Sequence, residues 1–187
     1  SQPAIMATSL AAYEAAKTLG ITADMVAGHS LGEYAAMTSA GMLTLENAFR
    51  VIRERARAMG ECAKGQNGAM CAVMGLSAEE IADVCEKTEG FVIPVNFNSP
   101  VQTVIAGEAD AVDRAAGVFA GMGKRTAKLV VSAAFHSKFM QPAADDFKAA
   151  IADIPFSAPH IDFYSNVTGE KLSDFSLYHG ECVGLGI

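Results

Sequence analysis

A serine flanked by glycines is the first group in this sequence that could do chemistry. Residues 28–32 read Gly-His-Ser-Leu-Gly, which fits the G-x-S-x-G pattern of a nucleophile elbow with Ser30 as the nucleophile. The pattern stands between an apolar run over 25–27 and a helical stretch over 33–40. Such a turn exposes the serine hydroxyl and places the N–H of Leu31 at a helix N-terminus, where an oxyanion would form. The alternative is a strand-to-helix turn that contains two glycines by chance.

A serine hydroxyl is a weak nucleophile at neutral pH, so it needs a base. The sequence has 4 histidines. His29 adjoins Ser30, and neighbours in an elbow point apart, so we expect His29 to line the pocket or to pack. We predict His136 as the base, because it follows an apolar predicted strand in the kind of loop where bases of α/β sheets lie. A capping or packing histidine is the alternative, and His160 is the second candidate base.

An arginine on the apolar face of a predicted helix is the second chemical signal. In the helix predicted over 45–62, Arg55 falls between Ile52 and Met59 in an apolar stripe. The other charged side chains cluster on the opposite face, where we expect water to solvate them: Arg50, Arg53, Glu54, Arg57 and Glu61. An inward guanidinium stays charged and needs an anion, such as a substrate carboxylate held by two nitrogens. The alternatives are an outward-bending side chain or a protein carboxylate, such as Asp83, Asp145 or Asp146.

The elements that must position these residues predict an α/β fold. The first third reads helix, strand, sharp turn, helix and helix. Residues 64–132 follow a strand-helix-strand-strand-helix-strand order, with the last strand over 125–131, and this order indicates a ferredoxin-like subdomain. A helix over 137–152 and a strand near 161–164 follow. We therefore predict a larger α/β domain with a parallel-sheet core in two parts, 1–63 and 133–187, with the small subdomain 64–132 inserted.

Composition and charge exclude several classes of protein. The chain has 187 residues, 51% of them hydrophobic, and a formal net charge of −7. These values favour a globular protein and argue against a general nucleic-acid binder. No apolar run reaches the roughly 18 residues of a membrane span, and we expect no signal peptide. Cys62, Cys71, Cys85 and Cys182 lack metal-ligand spacing, so we expect reduced thiols, a cytoplasmic location and no metal site.

Several motifs in chain order resemble the malonyl-CoA:acyl-carrier-protein transacylases. They are Gly-His-Ser-Leu-Gly-Glu-Tyr over 28–34, Arg55, Pro-Val-Asn-Phe-Asn-Ser-Pro over 94–100 with Gln102, Ile-Ala-Gly over 105–107 and Ala-Phe-His-Ser over 134–137. The resemblance covers about residues 2–172. It implies a hydrolase-like core with a ferredoxin-like insert. The implied activity moves malonyl from coenzyme A to the phosphopantetheine thiol of acyl carrier protein in fatty acid biosynthesis, with malonyl-CoA as a substrate and no cofactor.

The resemblance also implies a role for each main site residue. Ser30 would carry the malonyl group, and His136 would act first as base and then as acid. Arg55 would bind the free carboxylate of malonate, and Leu31 would donate its backbone N–H to the oxyanion. A backbone carbonyl, rather than an acidic side chain, would orient the histidine.

The remaining implications concern the pocket and the chain ends. Asn98 and Gln102 match residues near the pocket, and the bulk of Phe135 would leave little room for an α-methyl branch. Members of the family begin with a further strand and a Gly-Gln-Gly-Ser-Gln-like loop, and they continue well past position 187. The resemblance therefore predicts a chain shortened at both ends. The tail over 173–187 does not resemble the family, and three origins stay open: a divergent end, a shifted reading frame or a truncated gene product.

A basic cluster predicts how an acidic partner could bind. Lys124, Arg125 and Lys128 precede His136, and acyl carrier proteins are typically acidic, so we predict that this cluster meets the carrier protein. A solvated run of charges is the alternative. Two other functions stay open. One is a serine esterase or thioesterase, which should have an acidic triad member between serine and histidine. The other is an inactive fragment or the acyltransferase segment of a polyketide synthase.

Overall fold

The computed structural model describes residues 1–131 and 133–173 of the chain. Its described residues form two compact units: one comprises Ser1–Met59 together with 143–173, and the other comprises Gly60–Pro142. The helices are α1 Gln2–Thr18, α2 Gly32–Ser39, α3 Leu45–Ala63, α4 Ala78–Lys87, α5 Ala109–Gly121 and α6 Gln141–Ala150. The strands are β1 Met25–Ala27, β2 Gly68–Met74, β3 Val92–Ser99, β4 Gln102–Glu108, β5 Arg125–Lys128 and β6 Asp162–Tyr164. Apart from Ser173, the predicted tail lies outside the described residues.

The first unit is built on a parallel pair of strands. β1 pairs with β6 in parallel, with Val26 opposite Phe163. Because parallel strands end at the same edge, the residues that follow β1 and those that follow β6 leave the sheet side by side. Tyr34 of α2 and Phe147 of α6 are both buried and meet edge to face, with 6.1 Å between ring centroids. This packing holds α2 in place directly behind the serine turn.

The second unit is a four-stranded antiparallel sheet with two helices. Its strand order is β3-β4-β2-β5. The central strand β2 is buried on both faces, and its side chains alternate between two clusters, as the two-residue period of a strand requires. Cys71 and Val73 pack in the cluster that contains Ile81 of α4 and Phe119 of α5. Met70 of the same strand packs on the other face, in a cluster that includes Ala134 and Phe135.

The α/β fold class is confirmed, with a parallel and an antiparallel sheet, but two predicted elements differ in extent. β5 ends at Lys128 instead of Val131, because the N–H of Val131 donates to the carbonyl of Leu129 at 2.9 Å and turns the chain. Val130 is consequently fully exposed. The helix predicted over 137–152 is split into a 3-10 turn, Lys138–Met140, and α6. Pro142 lies in the first turn of α6, where its missing N–H costs nothing.

The described residues contain neither a membrane span nor a metal-binding cluster. None of their helices is both long and apolar enough to cross a bilayer. No group of three or more potential metal-ligating side chains lies close enough together among them to hold an ion.

Candidate active site

The backbone of Ser30 adopts a strained turn between β1 and α2. Its φ is 53°, in the left-handed region that residues other than glycine and asparagine seldom occupy. The turn is tight because a β-carbon on Gly28 would overlap the backbone of Gly32, so only glycine fits at position 28. Gly32 itself has open space where its β-carbon would lie. The first glycine of the G-x-S-x-G pattern is therefore needed because the backbones of Gly28 and Gly32 lie close together.

Arg55 is buried beside the serine. Its side chain is 2% exposed, and its Nη2 donates to the hydroxyl oxygen of Ser30 at 3.1 Å. Its Nη1 donates to Oε1 of Gln2 at 2.6 Å. The Nε of Arg55 is buried and has no hydrogen-bond partner among the described residues. A buried guanidinium with an unused N–H, directly beside a candidate nucleophile, is suited to an anionic ligand.

Two of the protein carboxylates that could have neutralised Arg55 pair with other residues in the described part of the chain. Asp146 pairs with Arg57 at 2.9 Å, and Asp83 pairs with Lys87 at 2.6 Å. The exposure of 2% also excludes an outward-bending side chain. On the opposite face of α3, the charged residues form ion pairs: Arg57 pairs with Glu54, whose side chain is 20% exposed, while the side chain of Arg53 is 70% exposed.

Two residues that sequence reasoning missed hold the serine turn from the other strand. The side-chain oxygen of Asn166 accepts a hydrogen bond from the backbone N–H of Ser30 at 3.1 Å. The backbone N–H of Asn166 donates to the carboxylate of Glu33, which is 4% exposed, at 2.8 Å. Asn166 follows β6 just as Ser30 follows β1. The rule that site residues follow the carboxyl ends of parallel strands could have found it.

A surface cavity of about 530 Å³ opens behind the turn. It is lined by residues 25–29, 164–166 and 169. His29 is exposed and lies on this lining. It therefore lines a cavity and does not pack in the core. Ser30 and Arg55 are not on the lining. This cavity therefore lies on the strand side of the turn, away from the guanidinium.

The predicted base lies on a rigid loop of the second unit. His136 is half-buried and has a φ of 59°, which makes it the second non-glycine residue with a left-handed backbone among those described. The buried hydroxyl of Ser137 donates to the carbonyl of Ala134 at 2.6 Å and accepts from the N–H of Phe139 at 3.3 Å. A β-carbon on Gly68 would come within 2.5 Å of the backbone nitrogen of Ala134. Strand β2 and the loop thus pack backbone to backbone.

His160, the second candidate base, lies at the other end of α2 from Ser30. Its ring packs against Gly41, where a β-carbon would come within 2.5 Å of its Nδ1. Its backbone N–H donates to the carbonyl of Ala40 at 2.9 Å. Because α2 separates Ala40 from the serine turn, His160 is not placed to act on Ser30, and that candidate is wrong.

The weaker pocket candidates lie in the second unit. Asn98 is on β3 rather than in a loop, and its amide nitrogen lies 3.5 Å from the side-chain oxygen of Gln102 on β4. Phe135 is half-buried against the cluster that contains Met70 and Val104. Their roles in a pocket stay predictions.

The basic cluster is partly engaged within the second unit. Lys128 pairs with Asp113 at 2.6 Å. The ammonium group of Lys124 donates to the carbonyl of Gly75 at 2.8 Å. Arg125 is exposed on β5. Of the three, Arg125 offers the most available positive charge.

Comparison with known proteins gives the chain a family. The model of the acyl transferase domain matches residues 1–179. The malonyl CoA-acyl carrier protein transacylase of Escherichia coli K12 is 43% identical over 171 residues, which is 89% of this chain and 55% of that protein. The polyketide synthase GfsA of Streptomyces halstedii is 38% identical over 173 residues, which is 92% of this chain and 2% of that protein. The chain spans about half the length of the curated transacylases that it matches.

Solved structures agree with the sequence match. The malonyl CoA-acyl carrier protein transacylase of Coxiella burnetii has a TM-score of 0.92 and 35% identity, over 100% of this chain and 60% of that one. A malonyl-transacylase in complex with a type II polyketide synthase acyl-carrier protein has a TM-score of 0.90 and 36% identity, over 98% of this chain and 61% of that one. The resemblance predicted from the motifs is confirmed, and the chain belongs to the acyl transferase domain family.

Proposed function

We propose that this chain contains the acyl-transfer site of a malonyl-CoA:acyl-carrier-protein S-malonyltransferase of fatty acid biosynthesis. Its substrates are malonyl-CoA and the phosphopantetheine thiol of acyl carrier protein. Support comes from relatives of that name at 38–43% identity over about nine-tenths of this chain. A type II polyketide synthase carrier protein is bound to a structural relative, which supports a carrier protein as the acceptor.

The observation that carries the proposal is the position of Arg55. Malonyl has one methylene between its free carboxylate and the reacting thioester carbonyl, so the carboxylate must bind immediately beside the nucleophile. Nη2 of Arg55 lies 3.1 Å from the hydroxyl oxygen of Ser30, and the buried Nε has no described partner. A guanidinium binds a carboxylate through two parallel hydrogen bonds, and these would satisfy that N–H.

The first half-reaction loads the serine. The hydroxyl oxygen of Ser30 attacks the thioester carbonyl carbon while His136 takes the hydroxyl proton. The backbone N–H of Leu31 stabilises the oxyanion of the tetrahedral intermediate. The carbon–sulfur bond then breaks, and His136 returns the proton to the sulfur of coenzyme A. The products are a malonyl-serine ester and free coenzyme A.

The second half-reaction reverses these roles with another thiol. His136 takes the proton of the phosphopantetheine thiol, and the sulfur attacks the malonyl-serine carbonyl. The ester bond to Ser30 breaks, and His136 gives the proton back to the serine oxygen. The cycle is redox-neutral and exchanges one thioester for another. Serine and histidine supply all its proton transfers, so we propose that it needs no cofactor and no metal.

Several finer features belong to the same proposal. The small subdomain is ferredoxin-like, which the β3-β4-β2-β5 order supports, because the two outer strands of its βαββαβ order lie side by side. We propose 1–63, 64–132 and 133–187 as the domain boundaries; the small subdomain then lies within the second unit, Gly60–Pro142, which also includes the loop of His136. Asn98, Gln102 and Phe135 line the acyl and pantetheine pocket, and the ring of Phe135 excludes an α-methyl branch. The protein is cytoplasmic, in keeping with the free thiols of Cys62, Cys71 and Cys85.

Substitution of Arg55 tests the function. In Arg55→Ala we expect malonyl transfer to fall about 100-fold or more, because a charged carboxylate loses hydrogen bonds that no water replaces well. Acetyl transfer, which needs no carboxylate contact, should not fall. Arg50→Ala is the matched control, since Arg50 lies on the solvated face of the same helix and contacts Asp153. The measurement is the rate of transfer of each acyl group to a carrier protein.

Two results would overturn the proposal. One is an unchanged preference for malonyl over acetyl in Arg55→Ala. The other is fast, sustained hydrolysis of p-nitrophenyl acetate by the unaltered chain, which would favour a serine esterase or thioesterase with water as the acceptor.

A further inference from the structure

We infer that Asn166 and Glu33 are positioning residues that clamp the backbone of the nucleophile and leave the N–H of Leu31 to meet the developing oxyanion. The inference rests on the proposed function only in taking Ser30 as the nucleophile. It begins from the φ of 53° at Ser30. A residue persists in such a conformation only when its surroundings over-determine it.

The clamp has two hydrogen bonds in series. The side-chain oxygen of Asn166 accepts from the N–H of Ser30 at 3.1 Å, and the N–H of Asn166 donates to the carboxylate of Glu33 at 2.8 Å. Glu33 is in the first turn of α2, where the helix dipole favours a negative charge, and it is 4% exposed. The clamp therefore joins the end of β6 to both sides of the serine turn.

The turn that presents Asn166 is itself well fixed. The N–H of Ser165 donates to the carbonyl of Glu170 at 2.9 Å, and that of Gly169 donates to the carbonyl of Ser165 at 2.8 Å. The hydroxyl of Ser165, a residue 5% exposed, accepts from the N–H of Val167 at 3.2 Å. Because the backbone of this turn is already ordered, Asn166 can hold the backbone of Ser30 with little further loss of conformational entropy.

The clamp also separates two neighbouring N–H groups. The N–H of Ser30 is occupied by Asn166, so it does not point at an acyl group. The N–H of Leu31 makes no hydrogen bond to any residue that the structure describes. Without the acceptor on Asn166, the serine turn could relax to a negative φ. Its hydroxyl would then move away from Nη2 of Arg55, now at 3.1 Å.

Three variants of the full chain test the clamp. Asn166→Leu removes the acceptor at similar size, and Asn166→Asp keeps an acceptor oxygen. Val167→Ala is the matched control in the same turn, because that side chain is 47% exposed. Amide hydrogen exchange at Ser30 and the rate at which a fluorophosphonate labels Ser30 are measured, with urea unfolding to follow global stability.

In Asn166→Leu we expect the rate of amide exchange at Ser30 to rise about tenfold and the rate of labelling to fall about tenfold. A tenfold change corresponds to the free energy of one lost hydrogen bond. Exchange in the second unit should stay unchanged, which separates a local effect from general destabilisation. Asn166→Asp should keep Ser30 protected, and Val167→Ala should alter neither readout. Wild-type exchange in Asn166→Leu, or an equal effect of Val167→Ala, would overturn the clamp.

The outcomes also separate the clamp from the proposed function. If Ser30 takes no malonyl group but its exchange responds to Asn166→Leu, the proposed function fails and the clamp stands. If malonyl transfer depends on Arg55 while exchange at Ser30 ignores Asn166, the function stands and the clamp fails. Should Asn166→Leu not fold, Asn166→Ala gives the same comparison with no added bulk.

Discussion

The guanidinium carbon of Arg55 lies 5.5 Å from the centroid of the Tyr34 ring. Tyr34 is 2% exposed, and burial raises the pKa of its phenol to about 12, although the positive charge of Arg55 acts in the opposite direction. The ring therefore forms an uncharged wall against one side of the buried cation. The phenol stays neutral because burial disfavours its ionised form more than the charge of Arg55 favours it.

The raised pKa of Tyr34 predicts a loss of stability at alkaline pH. Above its ordinary value of about 10, an unfolded tyrosine releases its proton while the folded one keeps it, so the free energy of unfolding falls as pH rises towards 12. Between pH 9 and pH 11 we expect a fall of about 1 kcal/mol from this residue, which Tyr34→Phe should abolish. Urea unfolding across that range measures it. Tyr13→Phe, on α1, should keep the wild-type profile, and an unchanged slope in Tyr34→Phe would contradict the assignment.

The two glycines of the serine turn should respond differently to alanine. Gly28→Ala places a methyl group against the backbone of Gly32, which cannot yield as a flexible side chain would. We expect a destabilisation of about 1–3 kcal/mol and slower fluorophosphonate labelling of Ser30. Gly32→Ala, with open space at its β-carbon, should be neutral or stabilising in urea unfolding. Equal stability of the two variants would argue against the close approach.

Loss of the Ser137 hydroxyl should loosen the loop that carries His136. Ser137→Ala leaves the carbonyl of Ala134 without its 2.6 Å partner in a buried setting, a cost of about 1–3 kcal/mol. We expect kcat for malonyl transfer to fall while KM for malonyl-CoA holds, because the base is misplaced but the carboxylate site is intact. Ser99→Ala, in the exposed hairpin of β3 and β4, is the control. A change in KM alone would contradict this role.

Charge reversal on β5 should weaken carrier-protein binding. Arg125→Glu, alone or with Lys124→Glu, replaces exposed positive charge with negative charge, so we expect KM for the carrier protein to rise and KM for malonyl-CoA to stay constant. Raising the salt concentration should shrink the difference between the variants. Lys87→Glu on α4 is the matched control, since its partner is Asp83. An equal effect on both substrates would refute the patch.

Local patterns in the sequence predict most of the fold. The order of helices and strands, the α/β class and the inward direction of Arg55 follow from hydrophobic periodicity and from glycine positions. The end of β5 does not, since residues 129–131 are as apolar as a strand but turn away through a backbone hydrogen bond. Hydrophobic periodicity indicates which residues prefer to be buried. It does not indicate where pairing with the neighbouring strand ends.

Contacts distant in sequence account for what sequence reasoning missed at the site. Asn166 is 136 positions from Ser30, and Gln2 is 53 positions from Arg55. Each is a common polar residue, and its hydrogen-bond partner becomes apparent only when two strands or two helices meet. The position of Asn166 just after β6 marks it as a candidate site residue but does not name its partner. Ser137 belongs to the Ala-Phe-His-Ser motif, but its own function depends on the carbonyl of Ala134, three residues away in a turn that periodicity does not describe.

The pairing of β1 with β6 has a consequence for how the protein folds. In the sequence, Val26 and its partner Phe163 are separated by all four strands of the second unit. Within that unit, β3 and β4 are joined by a short hairpin. Short-range contacts form first, and closing a long loop is slow. During synthesis on the ribosome, all four strands of that sheet are made before β6. We therefore expect the serine turn to acquire its final backbone only after β6 has paired with β1 and brought Asn166 to it.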